Sequence, residues 1–507
     1  MSAFYTWTAL PELFSAQPLP NPPPGTPGHY APPGPRQLYN ALAEALLAGR
    51  TSLLVRPRPE LLALNDPYDP VQNHQIDAQG LYCLHDASLF GRKYYVYFGV
   101  TPALTLFAPY LLITGQQLPT AVAALIFAVA GLAWSALLSN LLIDRFSPTL
   151  NGVVRFLLVL ALGCCNCVPF LLRSPYVYEV AILSAYCFMA GGLYFLARGS
   201  LANVGRGNIA LGSLFLGLAI GCRPHMLLVG LLVFGVVGIW LFALARQRKM
   251  RGRQIARLAM ALGGPWLVIV LLLAGYNYHR FHSFTEFGAR YNLVGSTVRI
   301  VDLPVLDWHR LQADLFCYLL FPPQVQSRFP YVHLDTPDAS LLPSGHFGVT
   351  PIAGLLVGMP FLLVLVTAPA VLYSACRDRR WAFLTALLVL LGGGLAELVC
   401  VACFGGAMRY AVDFAHLLVL AALLVGIDTF SRSRPIFRGL IKVALTFGVV
   451  TGCLLNVGIS IEGQRCLARD VAVREQMRHL FPRLRVLDWP RSGLVRVSAP
   501  RVGAYQP

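Results

Sequence analysis

The chain has 507 residues, of which 56% are hydrophobic and only 12% are charged. Its mean hydropathy of +0.61 excludes a water-soluble enzyme of this length. The formal net charge of +17 reports topology in such a chain, so it predicts no nucleic-acid partner. Because stretches of the ~20 apolar residues that a spanning helix needs recur between residues 97 and 460, we predict an all-α, polytopic integral membrane protein.

Residues 1–96 form the first non-membrane region, which contains a Pro-rich stretch and a short helical pattern at 39–49 that a glycine ends. We predict an exoplasmic loop with short amphipathic helices here. No signal peptide or initial span is visible. Because about 90 polar residues do not cross a membrane unaided, we expect an anchoring helix upstream of Met1.

Ten stretches predict membrane spans: 119–143, 150–171, 175–197, 208–223, 226–245, 258–277, 347–373, 381–404, 411–430 and 440–460. An eleventh, 97–115, contains two prolines and has aromatic flanks, so it either spans or lies at the interface; we favour an interfacial or re-entrant segment. The predicted organisation is an N-terminal bundle at 97–277, an exoplasmic loop at 278–346, a C-terminal bundle at 347–460 and an Arg-rich tail at 461–507. About 10 to 11 transmembrane helices result.

The positive-inside rule orients these spans. The loop after 226–245 carries six cations: Arg246, Arg248, Lys249, Arg251, Arg253 and Arg257. Alternation places the arginines of four more loops on the same, cytoplasmic side. The tail, with nine arginines, conflicts with this pattern, but juxtamembrane loops weigh more than distant residues. We expect a multi-pass membrane protein whose long loops face the exoplasmic side.

Ionisable side chains gather at the predicted exoplasmic helix ends. Each costs on the order of 2.5–3.5 kcal/mol at a span centre, so each calls for a partner or a purpose. Those singled out are Arg173, Glu179, Arg223, His225, Glu397, Arg409 and Asp413, with Arg280, Glu286 and Arg290 just after the 258–277 span. They predict a polar, partly basic cavity on one face. Snorkelling groups and structural ion pairs are the alternative interpretation.

Two stretches hold candidate site residues at high density. In residues 85–99, a carboxylate stands near two cations and several rings: Asp86, Arg92, Lys93, Tyr94 and Tyr95. Such a carboxylate can take a proton from an incoming hydroxyl, while cations hold phosphate and rings stack on sugars. Asp66 and Asp69 are further candidate bases, but each precedes a proline within two residues, which favours turn capping.

The second stretch, 275–291, alternates aromatic residues with Arg280, Glu286 and Arg290, where the headgroup of a membrane-embedded anion would lie. An aromatic belt with snorkelling arginines explains it equally well. The cysteines at 164, 165 and 167 lie in an apolar run without His or carboxylate, which favours helix packing over a zinc site. No nucleotide-binding or metalloprotease motif is present, and no cofactor is predicted; a divalent metal is optional.

These features resemble the GT-C superfamily of membrane glycosyltransferases. The residues that carry the resemblance are the Asp- and aromatic-rich first loop, the Gly91-Arg92-Lys93-Tyr94-Tyr95 run leading to Pro102, and the short span ending at Arg223-Pro224. The resemblance implies a polyprenyl-phosphate-linked sugar as donor and an acidic residue of the first loop as base. The stretches DASLFGRKYYVYFG, YNYHRF and FGGAMRYAVDF also resemble a set of bacterial membrane proteins.

The chain departs from that family at one point. The family carries an Asp-Glu pair after its first span, ahead of a Tyr and a short helix, whereas the matching positions here read Pro35-Arg36-Gln37-Leu38. Either Asp86 or another loop Asp serves as base, or the chain keeps the fold without the reaction.

The leading hypothesis is therefore a glycosyltransferase, for a hexose or pentose, that takes a lipid-linked sugar donor and a lipid or glycan acceptor of the cell envelope. In it, Asp86 is the base, and Arg92, Lys93 and Arg280 or Arg223 neutralise the leaving phosphate; His225, Arg409 and Asp413 complete the predicted binding set. The alternatives are a transporter or flippase of a lipid-linked or anionic solute, and a non-catalytic GT-C-like protein. The lack of an evident inverted repeat disfavours the transporter.

Overall fold

The fold was analysed in a computed structural model, which describes residues 1–15, 37–78, 84, 86–202, 205–247, 250–293, 307–327, 331–338 and 350–462. The Pro-rich stretch, positions 35 and 36, parts of the 278–346 loop and the Arg-rich tail from residue 463 lie outside the described residues.

Helices dominate the described chain. The first nine are α1 (Ser2–Ser15), α2 (Leu38–Leu47), α3 (Pro59–Leu62), α4 (Pro70–Ala78), α5 (Ala108–Thr114), α6 (Thr120–Phe146), α7 (Gly152–Cys164), α8 (Val168–Leu172) and α9 (Val177–Ala197). The other nine are α10 (Arg206–Ile220), α11 (Met226–Gln247), α12 (Gly252–Phe281), α13 (Trp308–Leu319), α14 (Leu355–Gly358), α15 (Ala368–Arg377), α16 (Trp381–Ala402), α17 (Val412–Arg432) and α18 (Pro435–Glu462).

Short elements complete the architecture. Two antiparallel hairpins pair β1 (Ser88–Phe90) with β2 (Lys93–Tyr95) and β3 (Gln324–Val325) with β4 (Val332–His333). Turns of π-helix precede α5 and follow α9, at Ala103–Phe107 and Arg198–Ala202, and 3-10 turns lie at Ala289–Tyr291, Pro360–Thr367 and Met408–Ala411.

Eight helices in the described part of the chain are long and apolar enough to cross a membrane: Thr120–Phe146, Val177–Leu201, Met226–Gln247, Gly252–Phe281, Pro360–Arg377, Trp381–Ala402, Met408–Arg432 and Pro435–Ile461. Each of them overlaps one of the ten predicted spans, although the helix in the 347–373 stretch begins only at Pro360 and ends at Arg377. The prediction of an all-α, polytopic integral membrane protein is confirmed.

Two predicted spans form shorter helices. The stretch 150–171 is broken after α7, because Cys167 adopts a left-handed backbone (φ 60°) and the Asn166 side chain accepts a hydrogen bond from the Val168 amide at 3.0 Å. The stretch 208–223 becomes α10, whose 15 residues rise about 22 Å, short of the ~30 Å of a hydrocarbon core. The apolar composition of the two stretches did not predict where α7 and α10 end.

The segment predicted at 97–115 is also short. Five π-helical residues lead directly into the seven of α5, and together they rise about 18 Å. This length favours the predicted interfacial or re-entrant placement over a full span. A second short helix, α1, was not predicted: its Tyr5 is fully buried against the bundle, where the Tyr5 hydroxyl accepts from Asn166 at 2.8 Å.

The helices α9 and α17 form the centre of the bundle. Both are buried along nearly their whole length, whereas α12 and α18 expose most of theirs on the outside. This arrangement follows from composition, since a helix that is apolar on all sides is stable only when surrounded by other helices or by lipid. Around the centre, α6 and α10 pack on α9, and α16 packs on α17 and α11.

The bundle has two chemically different ends. At one end, Arg155 pairs with Asp144 at 2.6 Å, and Phe146 contacts Phe383 at 5.2 Å between ring centroids, which joins α6 and α7 to the start of α16. We call this the arginine end. The start of α9, the α10–α11 turn and the start of α17 meet at the opposite end, where the first loop also docks.

Candidate functional site

Asp86 lies at the junction of the first loop with the bundle. Its backbone is left-handed (φ 61°), a conformation that few residues other than glycine adopt and that Asp tolerates better than most. Its amide donates to the Leu293 carbonyl at 3.0 Å, and its Oδ2 accepts a hydrogen bond from the Tyr178 hydroxyl at the start of α9. The first loop thereby presents its carboxylate to the bundle in one defined orientation.

Close backbone contacts fix the first loop on the α10–α11 turn. The Thr101 amide donates to the Gly221 carbonyl at 2.9 Å. A Cβ added at Gly99 would lie 1.9 Å from the Gly221 oxygen, so only glycine permits this approach. On the other side, the Ser88 hydroxyl donates to the Gly288 carbonyl at 2.8 Å. The position of Asp86 relative to Arg223 is therefore set by backbone packing.

Arg409 lies next to this carboxylate, in the 3-10 turn that leads into α17. Its guanidinium carbon is 4.8 Å from the Tyr178 ring centroid and 5.2 Å from the Tyr410 ring centroid. Within the described residues, no carboxylate is at ion-pair distance from Arg409, although Glu179 acts on it electrostatically. Cation–π contacts of about 0.5–2 kcal/mol and the electrostatic action of Glu179 offset hydration that the partly buried cation loses. Arg409 therefore presents a positive charge, held without an ion pair, that can attract an anion.

Arg223 approaches the same Tyr410 ring from the α10–α11 turn, with its guanidinium carbon 5.0 Å from the centroid. Its Nη2 is 3.2 Å from Asp413 Oδ2, and its Nε donates to His225 Nε2 at 2.7 Å. His225 Nδ1 is in turn 2.6 Å from Glu397 Oε2. Both carboxylates have no exposed side-chain surface. Two guanidinium groups thus share one aromatic ring beside the first-loop carboxylate.

We call this set the Asp86 cluster; its members are Asp86, Tyr97, Tyr178, Arg223, His225, Glu397, Arg409, Tyr410 and Asp413. Burial raises the pKa of Tyr97 well above 10, with Tyr410 and Asp86 adding to the rise and the arginines opposing it. Burial, and then Arg223, lower the pKa of His225 to about 4. Both side chains are therefore neutral at pH 7, and the cations of the cluster are Arg223 and Arg409.

The other candidate bases have local partners. Asp66 Oδ1 accepts from the Tyr68 amide at 3.0 Å. Asp69 accepts from the Val71 amide and the Gln72 side chain, both at 2.9 Å. These contacts correspond to the turn capping that their sequence context favours.

The predicted residues of the β1–β2 hairpin lie away from the cluster's core. Gly91 and Arg92 form its two-residue turn with positive φ angles of 56° and 61°, so exposed Arg92 and Lys93 occupy the tip, while Asp86 and Tyr97 flank the open end. Tyr94 and Tyr95 are buried, with exposures of 3% and 6%. The phosphate and sugar contacts predicted for these four residues remain predictions.

Arg280 has a supporting position. It is 3% exposed, its Nη1 donates to the Val96 carbonyl at 2.8 Å and its Nη2 donates to Asn277 Oδ1 at 2.7 Å. It therefore anchors the strand that leads to Tyr97, and the substrate contact predicted for it remains a prediction. Glu286 accepts from the Gly288 amide at 2.5 Å, and Arg290 is exposed.

Of the predicted binding set, the structure thus brings Asp86, Arg223, His225, Arg409 and Asp413 together. Sequence reasoning assigned no role to Tyr178 or Tyr410. The signal available for both was a tyrosine directly beside a charged residue at a helix start, Glu179 in one case and Arg409 in the other. Glu397 was noted only as an ionisable helix-end residue. Among the described residues, no group of three or more His, Cys, Asp or Glu is placed to hold a metal.

Neither a protein-family model nor a curated protein matches the chain. Solved structures similar to it include the apo oligosaccharyltransferase of Archaeoglobus fulgidus, with a TM-score of 0.44, 12% identity and coverage of 96% of this chain and 60% of that one. ArnT from Cupriavidus metallidurans bound to undecaprenyl phosphate gives a TM-score of 0.38, 12% identity and coverage of 88% and 75%. The chain therefore spans 60% of the length of that oligosaccharyltransferase.

Proposed function

We propose that this chain is a membrane glycosyltransferase that moves a sugar from a polyprenyl-phosphate donor to a lipid or glycan acceptor of the cell envelope. One observation carries the proposal: the partly buried Arg409, which has no carboxylate at ion-pair distance among the described residues, lies against the tyrosine that holds the first-loop carboxylate Asp86. A base and an anion site are thereby adjacent at one end of a membrane bundle. The resemblance of the first loop to GT-C enzymes agrees with this assignment.

The proposed reaction is a direct displacement at the anomeric carbon. The acceptor hydroxyl oxygen forms the new bond to that carbon, its proton passes to Asp86, and the bond between the anomeric carbon and the phosphate oxygen breaks. The polyprenyl phosphate leaves with the bonding electron pair. Arg409 and Arg223 stabilise the charge that develops on it, which is the largest electrostatic requirement of such a step.

Aromatic rings complete the proposed site. Phe98 packs edge-on against Tyr178 at 5.1 Å between centroids, and the partly buried Tyr97 lies within electrostatic reach of Asp86 and Tyr410. Rings in this position suit the apolar face of a sugar. The proposed orientation puts this end of the bundle on the periplasmic or extracellular face of a bacterial cytoplasmic membrane, as the arginine-bearing loops at the other end predict.

The change Asp86→Asn tests the proposal. It preserves the size of the side chain and its ability to accept from Tyr178 but removes the base, so we expect sugar transfer in membranes to fall about 10²- to 10⁴-fold. The measurement is transfer of radiolabelled sugar from a polyprenyl-phosphate donor. A matched control is Asp307→Asn, because Asp307 only caps α13 and Asn caps equally well.

Transfer by Asp86→Asn at the wild-type rate would remove Asp86 from the mechanism. Movement of intact donor across the membrane without consumption would instead identify a carrier. Wild-type membranes that neither consume nor move the donor would favour the non-catalytic alternative.

A further inference from the structure

A row of three hydrogen-bonded side chains runs from α16 to the α10–α11 turn. Glu397 Oε2 is 2.6 Å from His225 Nδ1, and His225 Nε2 is 2.7 Å from Arg223 Nε. Glu397 has no exposed side-chain surface, and that of His225 is 14% exposed. The proposed reaction gives Glu397 no contact with the substrate, so its burial next to the site calls for another explanation.

The donor at one end fixes the protonation of the row. Arginine carries only N–H donors, so its Nε–H donates and His225 Nε2 must accept. The neutral imidazole then carries its proton on Nδ1, which donates to Glu397 Oε2. The row therefore has one direction, with the Glu397 oxygen as its terminal acceptor.

Asp413 competes for the same guanidinium. Its Oδ2 is 3.2 Å from Arg223 Nη2, and neither of its oxygens has a hydrogen bond among the described residues. An arginine facing a buried carboxylate tends towards a two-pronged pair, one form of which uses Nε together with an Nη group. Because His225 occupies Nε, this side-on pairing with Asp413 is blocked, and the guanidinium stays beside the Tyr410 ring.

We propose that Glu397 is a positioning residue: through His225 it holds Arg223 beside Tyr410, in reach of the phosphate of the lipid donor. The inference rests on the proposed function, since it assigns the phosphate as the partner of Arg223. Arg223 has four rotatable side-chain bonds, and orienting it in advance removes an entropic cost from binding.

The experiment measures the Kd of the purified chain in detergent or nanodiscs for farnesyl phosphate, a short polyprenyl phosphate. In Glu397→Leu, which removes the terminal acceptor, we expect the Kd to rise about tenfold. In Glu397→Gln, the amide oxygen still accepts from His225 Nδ1, so the Kd should stay within about twofold of wild type. Asp428→Leu is the matched control, because it removes a buried carboxylate at the arginine end.

A double-mutant cycle isolates the route through Arg223. Arg223→Lys should weaken binding by itself, and adding Glu397→Leu should weaken it no further, because the group that Glu397 positions is already gone. Thermal melting of each variant identifies losses of fold; in Asp428→Leu we expect a lower Tm with unchanged Kd.

The outcomes separate the inference from the proposed function. If the wild type binds farnesyl phosphate and Glu397→Leu has the same Kd, the positioning role alone is overturned. The same conclusion follows if the effects of Glu397→Leu and Arg223→Lys on the Kd add fully, or if Glu397→Gln binds as weakly as Glu397→Leu. A wild-type chain that does not bind farnesyl phosphate would overturn the proposed function, and the inference with it.

Discussion

The two ends of the bundle use the same residue types in opposite ways. At the arginine end, Asp428 receives Arg380 at 2.6 Å and Arg432 at 3.1 Å, and Arg432 also reaches Asp378 at 2.7 Å. We call these four residues the Arg380 clamp. Each arginine of the clamp pairs with a carboxylate, whereas in the Asp86 cluster Arg409 rests on two aromatic rings.

Exposure explains part of the difference. The clamp arginines are 30% and 38% exposed, so water screens their charges and the ion pairs join helix ends at modest cost. In the Asp86 cluster, Arg223 is only 16% exposed, and the neighbouring Glu397 and Asp413 have no exposed side-chain surface; the carboxylate of the clamp, Asp428, is also buried, with 5% exposure. Burying ionisable groups without full pairing is expensive, and such groups cluster at functional sites. The comparison therefore supports a structural role for the clamp and the functional role proposed for the cluster.

The largest expected effect is on sugar transfer, and it distinguishes an arginine of the Asp86 cluster from an arginine of the Arg380 clamp. Arg409→Leu should lower sugar transfer by on the order of 10²-fold, because the phosphate that leaves in the proposed reaction loses a neighbouring cation, with little change in Tm. Arg380→Leu should do the reverse, lowering the free energy of unfolding by about 1–3 kcal/mol while transfer stays near wild type. Transfer assays and thermal melts on both variants measure this. Loss of transfer in Arg380→Leu alone would contradict the division of roles.

A smaller effect is expected where the first loop docks. Gly99→Ala would place a methyl group 1.9 Å from the Gly221 carbonyl oxygen, so the loop must move and about 1–3 kcal/mol of stability is lost. Transfer should fall as well, since Asp86 moves with the loop. The control is Gly275→Ala, whose added methyl meets open space. Thermal melting and transfer are measured together, and a Gly99→Ala variant equal to Gly275→Ala would show that the close approach is dispensable.

The smallest effect concerns acid sensitivity. His225 has a pKa of about 4, against the ordinary 6.5, so between these values the unfolded chain binds a proton that the folded chain does not. Stability should therefore decline as the pH falls from 6.5 towards 4. Hydrogen bonds from Arg432 and Arg377 hold the pKa of Asp378 below its ordinary value of 3.8. The stability that this carboxylate contributes to the folded protein is therefore lost only as the pH falls below 3.8.

Melting curves of wild type, His225→Gln and Asp378→Asn across this pH range check whether the cluster loses stability at a higher pH than the clamp. The Tm of His225→Gln should depend less on pH between 6.5 and 4, whereas Asp378→Asn should keep the wild-type slope there. Parallel curves for all three proteins would show that His225 does not titrate as described.

Much of the fold could be predicted from the sequence because the membrane imposes length and polarity on each span. Eight of ten predicted spans correspond to long helices, since some twenty apolar residues have few alternatives to a spanning helix. The failures were local. Hydropathy does not register the left-handed Cys167 that breaks the 150–171 stretch, nor does it predict α1, whose 14 residues are too short for a spanning signal.

The candidate site, like the fold, could be predicted from the sequence only in part. Charged residues at the ends of spans were recognisable because ionisable groups are rare in apolar stretches, and this signal selected Arg223, Arg409 and Arg280. Asp86 was selected because it stands near two cations and several aromatic rings in the first loop. The guanidinium of Arg280 also supports the Val96 backbone. Sequence position could not separate these roles, because both kinds of arginine lie at helix ends among aromatic residues.

The sequence by itself determined that the protein lies in a membrane, the approximate limits of most of its long helices, and the presence of charged residues at the ends of those helices. These depend on the composition of single segments against a hydrocarbon layer. The tertiary structure alone decided which charges meet. Contacts such as Glu397 with His225, or Gly99 with Gly221, join residues that lie more than one hundred positions apart, and no local pattern encodes a distance between two helices.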